Sequence, residues 1–344
     1  MQRVDRPRIA VVGAGYWGPR LVRNLHRAAP DVLAAVCDLD PSKLEALAED
    51  YPNLRTTTSV QSLLEDPAID AFMLALPPHL HHDIGLAALK AGKHLFVEKP
   101  IATDVSRGRD LLNAARRVDR QLMVGLVYCH HPLVERARGL LAAGRLGRPT
   151  RVISWRTNLN PRPKHANILW LLAPHDLSIF SRWLGTRPNV VSTAMRRERH
   201  PDFEDVADVE LVYPENVRAT VRLSWLEPDK VRRILVAGDV ASLVFDEMHA
   251  PPRITLHARG WKDGDPEPAP EPDAWSEYLG EPSELLSLME PVEPLFLECR
   301  HFIECLKTGE RPLTGGELAL EVTEIIQSIQ NAGRDEQRAA AENV

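Results

Sequence analysis

Short apolar runs alternate with amphipathic stretches along the first part of this 344-residue chain. Runs of this length are typical of buried strands, and they predict strands at 8–13, 32–38, 54–57, 71–76, 94–98 and 122–127. Between them, apolar residues recur with helical spacing near 16–29, 42–50, 60–65, 80–91 and 104–119. The alternation predicts βαβ units on a doubly wound parallel sheet, which is an α/β fold.

The pattern changes after Pro132. A helix near 132–143, a strand near 149–159 and an apolar helix at 168–184 come before a series of strand-like runs between 188 and 257, among them 206–212, 217–225, 232–237 and 241–245. Strands that follow one another without intervening helices usually pair antiparallel. The second part of the chain is therefore expected to be an α+β domain on a mostly antiparallel sheet.

The last part of the chain is less regular. Residues 258–294 are rich in proline, glycine and acidic residues, and we expect a loop or flap there. Helices are predicted near 294–308 and 315–331. Because 344 residues exceed one hydrophobic core, we predict a first domain at 1–127, a second at 128–332 and a flexible polar tail at 333–344.

A glycine-rich turn follows the first predicted strand at once. Gly13, Gly15 and Gly18 form the pattern GxGxxG, and Asp38 ends the second strand. In dinucleotide-binding domains the glycines permit a tight turn, a close approach to a pyrophosphate and close helix packing. The acid accepts hydrogen bonds from the adenosine ribose and repels a 2′-phosphate, so NAD is favoured over NADP. The alternatives are a turn without a ligand and a helix cap, although Asp40, which precedes a proline, suits the cap better.

Composition narrows the class of protein. The chain has 42 basic and 48 acidic residues, a formal charge of -6 and no basic block, which argues against nucleic-acid binding. The start of the chain resembles neither a signal peptide nor a membrane helix, so we expect no membrane partner and a cytoplasmic location. The four cysteines have no metal-ligand spacing and are expected to be reduced thiols that pack in the core.

Two further residues are candidates for chemistry. Lys99 follows the fifth predicted strand, at the edge where parallel sheets bind their ligands, so it can polarise a carbonyl or orient a hydroxyl near the nicotinamide. His175 shares one face of its predicted helix with Leu171, and as a neutral imidazole it can accept a hydroxyl proton. The alternatives are a surface lysine and a core histidine that is bonded to a backbone carbonyl.

Other polar residues are candidates for substrate contacts. The stretch from Arg156 to Lys164 is basic, which suits a phosphate or diphosphate group, although a solvated loop has the same composition. The candidate substrate-binding residues are Tyr128, Arg156, Asn158, Lys164, Asn167 and His175. Among three nearby histidines, His79 is expected beside the cofactor and His81 and His82 at the surface, and we expect no metal site.

Together these residues resemble the Gfo/Idh/MocA oxidoreductases, which are named for glucose-fructose oxidoreductase and inositol dehydrogenase. The resemblance spans essentially the whole chain. It rests on the GxGxxG turn, on Pro77-Pro78-His79, on Glu98-Lys99-Pro100, on the helix with His175, and on a closing segment from Glu298 to Leu313. The motifs Gly15-Tyr16-Trp17-Gly18-Pro19 and Leu172-Ala173-Pro174-His175-Asp176 look most like the branches that oxidise nucleotide-linked sugars at C3.

The resemblance implies a Rossmann domain followed by an α+β domain whose open sheet forms the interface of a homodimer or homotetramer. It also implies that Lys99 and His175 are catalytic, that the bond from Lys99 to Pro100 is cis, and that the substrate is a sugar or cyclitol with a secondary alcohol. The cofactor-binding residues that it implies are Gly13, Gly15, Tyr16, Trp17, Gly18, Asp38, Leu76, Pro77, His79, Glu98 and Lys99.

Leu171 departs from the family pattern, because many relatives have an aspartate four residues before the histidine. A leucine neither accepts an imidazole N–H bond nor stabilises an imidazolium, and Asp176 lies about 100° further round the helix. Either the chemistry tolerates the loss, or the protein works mainly in the ketone-reducing direction, or catalysis has decayed.

The leading hypothesis is an NAD-dependent dehydrogenase or ketoreductase that acts on a nucleotide-linked or phosphorylated hexose. One alternative is an NAD-binding companion subunit of a sugar aminotransferase or other biosynthetic enzyme, without turnover of its own. A cyclitol dehydrogenase is the second alternative.

Overall fold

The computed structural model describes residues 4–159, 166–261, 265, 272, 275–288 and 292–342, with side chains up to Arg334 except that of Ser276. The strands are β1 Ile9–Val12, β2 Leu33–Cys37, β3 Arg55–Thr57, β4 Ala71–Leu74, β5 His94–Glu98, β6 Leu122–Gly125, β7 Pro149–Thr157, β8 Asn189–Arg196, β9 Val206–Tyr213, β10 Val217–Ser224, β11 Val231–Gly238, β12 Ser242–Asp246, β13 Arg253–His257 and β14 Glu284–Ser287. The helices are α1 Gly18–Ala28, α2 Pro41–Asp50, α3 Val60–Leu64, α4 Pro78–Lys90, α5 Val105–Arg117, α6 Pro132–Ala142, α7 Ile168–Leu184, α8 Trp275–Leu279, α9 Pro294–Thr308 and α10 Gly316–Glu342.

The chain divides into two units, of which the first comprises Met1–His130 and Glu293–Glu324. Its sheet has six parallel strands in the order β3-β2-β1-β4-β5-β6, which is the Rossmann order. β1, β4 and β6 are buried at every residue, as expected for strands that have helices on both faces. The predicted doubly wound α/β fold is confirmed.

α9 belongs to this first unit, although the sequence analysis placed it in the second domain. Leu295, Cys299 and Phe302 lie on one helix face and join the buried cluster that contains the apolar residues of α1. The rings of Phe96 and Phe302 meet at 5.7 Å between their centroids. This helix covers the α1 face of the sheet, so the boundary at 127 does not separate the units in the way that chain order suggested.

The second unit comprises His131–Val292 and Ile325–Val344. Its sheet has eight strands in the order β14-β13-β12-β11-β7-β10-β9-β8, and every neighbouring pair is antiparallel except β7 and β10. The predicted α+β architecture on a mostly antiparallel sheet is therefore confirmed. α7 packs on one face of this sheet against β9 and β10.

The expectation that residues 258–294 form only a loop or flap was wrong. Within the predicted loop 258–294, the short helix α8 forms and β14 pairs with β13. Trp275 and Leu279 of α8 are buried against Ile153 and Leu235 of the sheet, so burial of these two apolar side chains stabilises the short helix. The remaining parts of that loop, 262–264, 266–271, 273–274 and 289–291, lie outside the described residues.

α10 extends beyond the predicted helix 315–331 and continues through Gly333 to Glu342, into the segment where the sequence predicts a flexible tail. Gly333 packs closely on β8: a Cβ there would lie 3.3 Å from Cγ2 of Thr193. Glycine at this position therefore permits packing and does not end the helix. Among the described residues, no helix is both long enough and apolar enough to span a bilayer. All four cysteines are buried free thiols, as predicted.

Candidate functional site

The glycine turn between β1 and α1 has the geometry of a dinucleotide turn. Gly13 has a φ of +100°, and a Cβ there would clash with the carbonyl oxygen of Ala75. A Cβ on Gly18 would clash with the carbonyl oxygen of Gly13. Gly15, in contrast, is exposed, and apart from its two chain neighbours no described residue has an atom within 4 Å of an ideal Cβ there. Space is therefore open beside the backbone where the sequence predicts a pyrophosphate.

The start of α1 offers N–H groups to this space. The helix begins at Gly18, slightly later than predicted, and neither a capping side chain nor an acidic residue occupies its first turn. Tyr16 is 71% exposed, and the Arg20 guanidinium lies 3.8 Å from the centre of its ring. An uncapped helix start with an adjacent arginine fits an anionic diphosphate, because unsatisfied N–H donors and positive charge favour it there.

Asp38 follows β2 directly, and the backbone holds its carboxylate. One oxygen accepts the Ala14 N–H at 2.6 Å and the other accepts the Asp40 N–H at 2.9 Å. Burial raises the pKa of Asp38, but these two bonds and the Lys43 ammonium outweigh burial, so the pKa lies below its ordinary value. Asp40 caps α2 by accepting the Ser42 N–H, as predicted. Asp38 is thus an ionised acceptor that is anchored to the glycine turn and suits ribose hydroxyls.

The segment after β4 lies beside the same turn. A Cβ on Gly13 would lie 3.1 Å from Cδ2 of Leu76, so this side chain packs on the glycine turn. Pro77 and His79 are exposed at the start of α4. The structure therefore places the predicted residue Leu76 against the glycine turn. Pro77 and His79, which follow it, are accessible.

Glu98, Lys99 and Pro100 continue from β5, the next strand of the sheet. The peptide bond from Lys99 to Pro100 is cis, as the resemblance implied. Glu98 and Pro100 are buried, whereas Lys99 is partly exposed. Since β1, β4 and β5 are parallel neighbours, the glycine turn, Leu76 and Lys99 share the carboxyl edge of one sheet.

A second buried carboxyl accompanies Glu98. The Glu98 carboxyl packs against Gly125, and Glu298 on α9 is 0% exposed, with Oε1 3.9 Å from Nε2 of His130. Among the described residues, neither oxygen of Glu298 has a hydrogen-bond partner. Burial raises the pKa of Glu98 to about 7, against the effect of Lys99, and burial and the charge of Glu98 raise the pKa of Glu298 well above its ordinary value. Both buried carboxyls therefore bind their protons more tightly than solvated carboxyls do.

His81 was expected at the surface, and this expectation was wrong. The residue is 0% exposed, and both ring nitrogens lie 2.8 Å from backbone carbonyl oxygens, Nδ1 from that of Pro100 and Nε2 from that of Leu76. The sequence contained a signal, because His81 shares one helix face with the small and apolar residues Gly85 and Ala88. Glu298 was not predicted as a site residue either. The same kind of signal was present, because Glu298 lies on the buried face of α9 with Phe302.

In the second unit, α7 carries His175 and Leu171, both partly exposed. The buried Asp176 receives two hydrogen bonds from the Arg156 guanidinium, each of 2.8 Å. This ion pair corrects the assignment of Arg156 to the substrate. Arg156 is only 3% exposed, and its guanidinium is bound to Asp176. It also shows that Asp176 does not replace the aspartate that is missing at position 171.

The other predicted substrate residues have mixed outcomes. Asn167 is the N-cap of α7, accepts the Trp170 N–H and donates to Glu204, so its side chain is structural and its assignment to the substrate is withdrawn. Asn158 accepts a bond of 3.1 Å from Arg232 and remains partly exposed. Tyr128, in a short turn at Val127–His130, is partly exposed too. Lys164 lies outside the described residues, and no group of three or more potential metal ligands occurs within them.

The fold and the first unit's edge together define a class of protein. A Rossmann sheet, an open glycine turn, an anchored acid and a lysine after a neighbouring strand are the features of a dinucleotide-binding domain in an oxidoreductase. Sequence comparison agrees: the family described as an oxidoreductase family with an NAD-binding Rossmann fold matches residues 7–126, and the GFO/IDH/MocA C-terminal domain matches residues 134–244. The chain belongs to the Gfo/Idh/MocA family, and its first domain binds NAD.

Three relatives illustrate the range of similar proteins. Inositol 2-dehydrogenase 2 of Saccharopolyspora erythraea is 29% identical over 57% of this chain and 60% of its own length. The dTDP-3,4-didehydro-2,6-dideoxy-alpha-D-glucose 3-reductase of Saccharopolyspora spinosa is 34% identical over 41% of this chain and 42% of its own. A solved structure from Magnetospirillum magnetotacticum has a TM-score of 0.80 and 26% identity, covering 94% of this chain and 99% of that one. The chain spans about 60% of the length of the first curated relatives that it matches.

Proposed function

We propose that the protein is an NAD-dependent oxidoreductase that exchanges hydride with a secondary alcohol or ketone, at C3, of a nucleotide-linked or phosphorylated hexose. The observation that carries this proposal is the shared sheet edge of the first unit. Gly15, Asp38 and Lys99 lie along that edge after β1, β2 and β5. Residues that fit a dinucleotide and a lysine that suits a reacting oxygen therefore belong to one surface.

Each residue along this edge has a defined task in the proposal. The start of α1 binds the pyrophosphate, and Asp38 binds the adenosine ribose. Lys99 holds the reacting oxygen of the sugar and stabilises negative charge on it as the alcohol loses its proton. NAD, when bound, supplies the hydride acceptor. His175 remains the proposed proton acceptor, and Leu171, four residues before it, offers no carboxylate to its imidazolium where the family resemblance leads us to expect an aspartate.

The proposed sugar class is supported by the name of one relative. The Saccharopolyspora spinosa relative is named as a reductase of a dTDP-linked sugar, which supports a nucleotide-linked substrate. Arg156 gives no support, because it is buried in its pair with Asp176. Tyr128 and Asn158 remain proposed substrate contacts. The inositol dehydrogenase relative favours a cyclitol as the second candidate substrate.

The test is a panel of substrates with the purified protein. Reduced nicotinamide is followed by its near-ultraviolet absorbance while dTDP-hexoses, UDP-hexoses, hexose phosphates and inositols are offered with NAD. Turnover with a nucleotide-linked hexose, and little with inositols, supports the proposal, whereas preference for inositols favours the cyclitol alternative. If NAD binds in calorimetry and no sugar or cyclitol is oxidised or reduced, the companion-subunit alternative, which Leu171 favours, replaces both.

Assembly and location are part of the proposal. We propose a homodimer or homotetramer that forms through the eight-stranded sheet, in line with the family resemblance. Light scattering after size exclusion measures the assembly.

A cytoplasmic location agrees with four buried free thiols, since disulfides are rare in the cytoplasm. Cell fractionation tests this location.

A further inference from the structure

His81 joins the two turns that the proposed function uses. Its ring lies between the carbonyl oxygen of Leu76, two residues after β4, and that of Pro100, directly after Lys99. Both separations are 2.8 Å, which is the length of a good hydrogen bond. One turn packs on the glycine turn through Leu76, and the other carries the proposed catalytic lysine.

The bridge is completely enclosed. His81 is 0% exposed, and the ring lies on the buried face of α4 with Gly85, whose missing side chain leaves room for the neighbouring leucines Leu95 and Leu111. A backbone carbonyl in such a place loses its water, so an imidazole N–H that reaches it is worth more than the same bond at the surface. No ordinary apolar residue of similar size supplies this donor.

We propose that His81 is a positioning residue that ties the Lys99–Pro100 turn to the Leu76–Pro77 turn, and so fixes the reacting lysine relative to the cofactor site. The residue touches neither sugar nor cofactor in this proposal, and it acts through the two backbone segments. The inference rests on the proposed function only for the identity of the reaction; the link between the two turns does not depend on the sugar.

Both partners of the ring are acceptors, and this limits how the bridge works. A neutral imidazole has one N–H and donates to one carbonyl, while an imidazolium donates to both. Burial lowers the pKa of His81, with the carbonyls of Pro100 and Leu76 opposing and His79 and Lys99 adding to the decrease. The neutral ring therefore donates to one carbonyl only, and its unprotonated nitrogen makes no hydrogen bond with the other carbonyl oxygen. A bond to the Pro100 carbonyl is enough to tie the two turns, because α4, which carries His81, continues directly from the Leu76–Pro77 turn.

The experiment compares three variants of the full chain. His81→Phe keeps the ring and removes its nitrogens, and His81→Gln restores one donor. His94→Phe is the matched control, because His94 is also buried, accepts the Gln121 N–H through Nδ1 at 3.0 Å, and stands at the opposite end of β5. NAD affinity is measured by calorimetry, kcat at saturating NAD by absorbance, and Tm by thermal unfolding.

We expect both phenylalanine variants to lower Tm, because each leaves a buried backbone group without its partner. Only His81→Phe should weaken NAD binding and lower kcat at saturating NAD, each about tenfold, as expected for a lost buried hydrogen bond. His81→Gln should recover part of both. If His81→Phe does not fold, His81→Gln is compared with the wild type and His94→Phe, and the nitrogen chemical shifts of the wild-type ring report its bonds.

The inference would be overturned by NAD affinity and kcat of the His81 variants equal to wild type, or by equal losses in His94→Phe. Imidazole nitrogen shifts of a freely solvated ring would overturn it as well. Calorimetry separates this inference from the proposed function. If NAD binding falls in His81→Phe while no sugar is turned over by the wild type, the bridge stands and the sugar chemistry fails.

Discussion

The buried carboxyl pair makes stability depend on pH in a way that one substitution can reveal. Glu98 is 6% exposed, and burial raises its pKa from 4.5 to about 7. A carboxyl with a raised pKa in the folded state binds its proton more tightly there than in the unfolded chain. Its effect on folding is therefore most favourable below the unfolded pKa, and stability is lost as the pH rises toward the folded pKa.

The size of this loss follows from the shift. One pKa unit corresponds to about 1.4 kcal/mol, so the rise of Glu98 from 4.5 to about 7 corresponds to about 3 kcal/mol. In Glu98→Gln, position 98 no longer titrates, so the variant does not lose this stability as the pH rises. Relative to wild type, the variant should therefore gain about 3 kcal/mol in free energy of unfolding between about pH 4.5 and about pH 8.

Urea unfolding of both proteins, followed by circular dichroism across this pH range, measures the difference. Glu304→Gln is the control, because Glu304 is exposed on α9, the helix that carries the buried Glu298. Its difference from wild type should stay within about 0.5 kcal/mol at every pH. A constant difference between Glu98→Gln and wild type would refute the reasoning, since it would mean that Glu98 ionises like a solvated carboxyl.

Three further predictions concern other residues. Leu171→Asp should raise kcat for alcohol oxidation about tenfold or more near neutral pH by supporting the imidazolium of His175; a variant no faster than wild type in steady-state assays argues against a proton-accepting role for His175. Arg156→Ala should lower the free energy of unfolding by about 3–5 kcal/mol, because it leaves the Asp176 carboxylate buried without its cation, and a change in sugar KM at unchanged Tm would contradict this. Asp38→Ser should weaken NAD binding and narrow the preference for NAD over NADP in calorimetry, and an unchanged preference would remove Asp38 from the ribose site.

The parts of the fold that local pattern governs were predictable from the sequence. Strands that are apolar throughout, an N-cap at Asp40 and a glycine turn directly after β1 each leave a signal within a few residues. The position of Lys99 also followed, because parallel strands end at a common edge. α9 could not be placed in this way, since its apolar face suits either domain and only the three-dimensional packing on the α1 side decides between them.

The site was less predictable where polar groups pair over long distances in sequence. Arg156 looked like a phosphate ligand because a basic stretch has the same composition whether it is solvated or paired. Asp176, its partner, lies on a different element, and nothing local links the two. His81 could have been found from the burial of its helix face, but the carbonyl of Pro100 that it contacts depends on the path of the chain after β5.

The most direct test of the central claim, that Lys99 acts on the reacting oxygen beside bound NAD, is a single-turnover measurement with Lys99→Ala. The variant is mixed with NAD and with the nucleotide-linked hexose that the wild type turns over, and the absorbance of reduced nicotinamide is followed. We predict that the rate falls at least about a hundredfold, as for a lost acid–base or charge-stabilising group, while the Kd for NAD in calorimetry stays within about twofold of wild type. A variant that transfers hydride at nearly the wild-type rate would contradict the account.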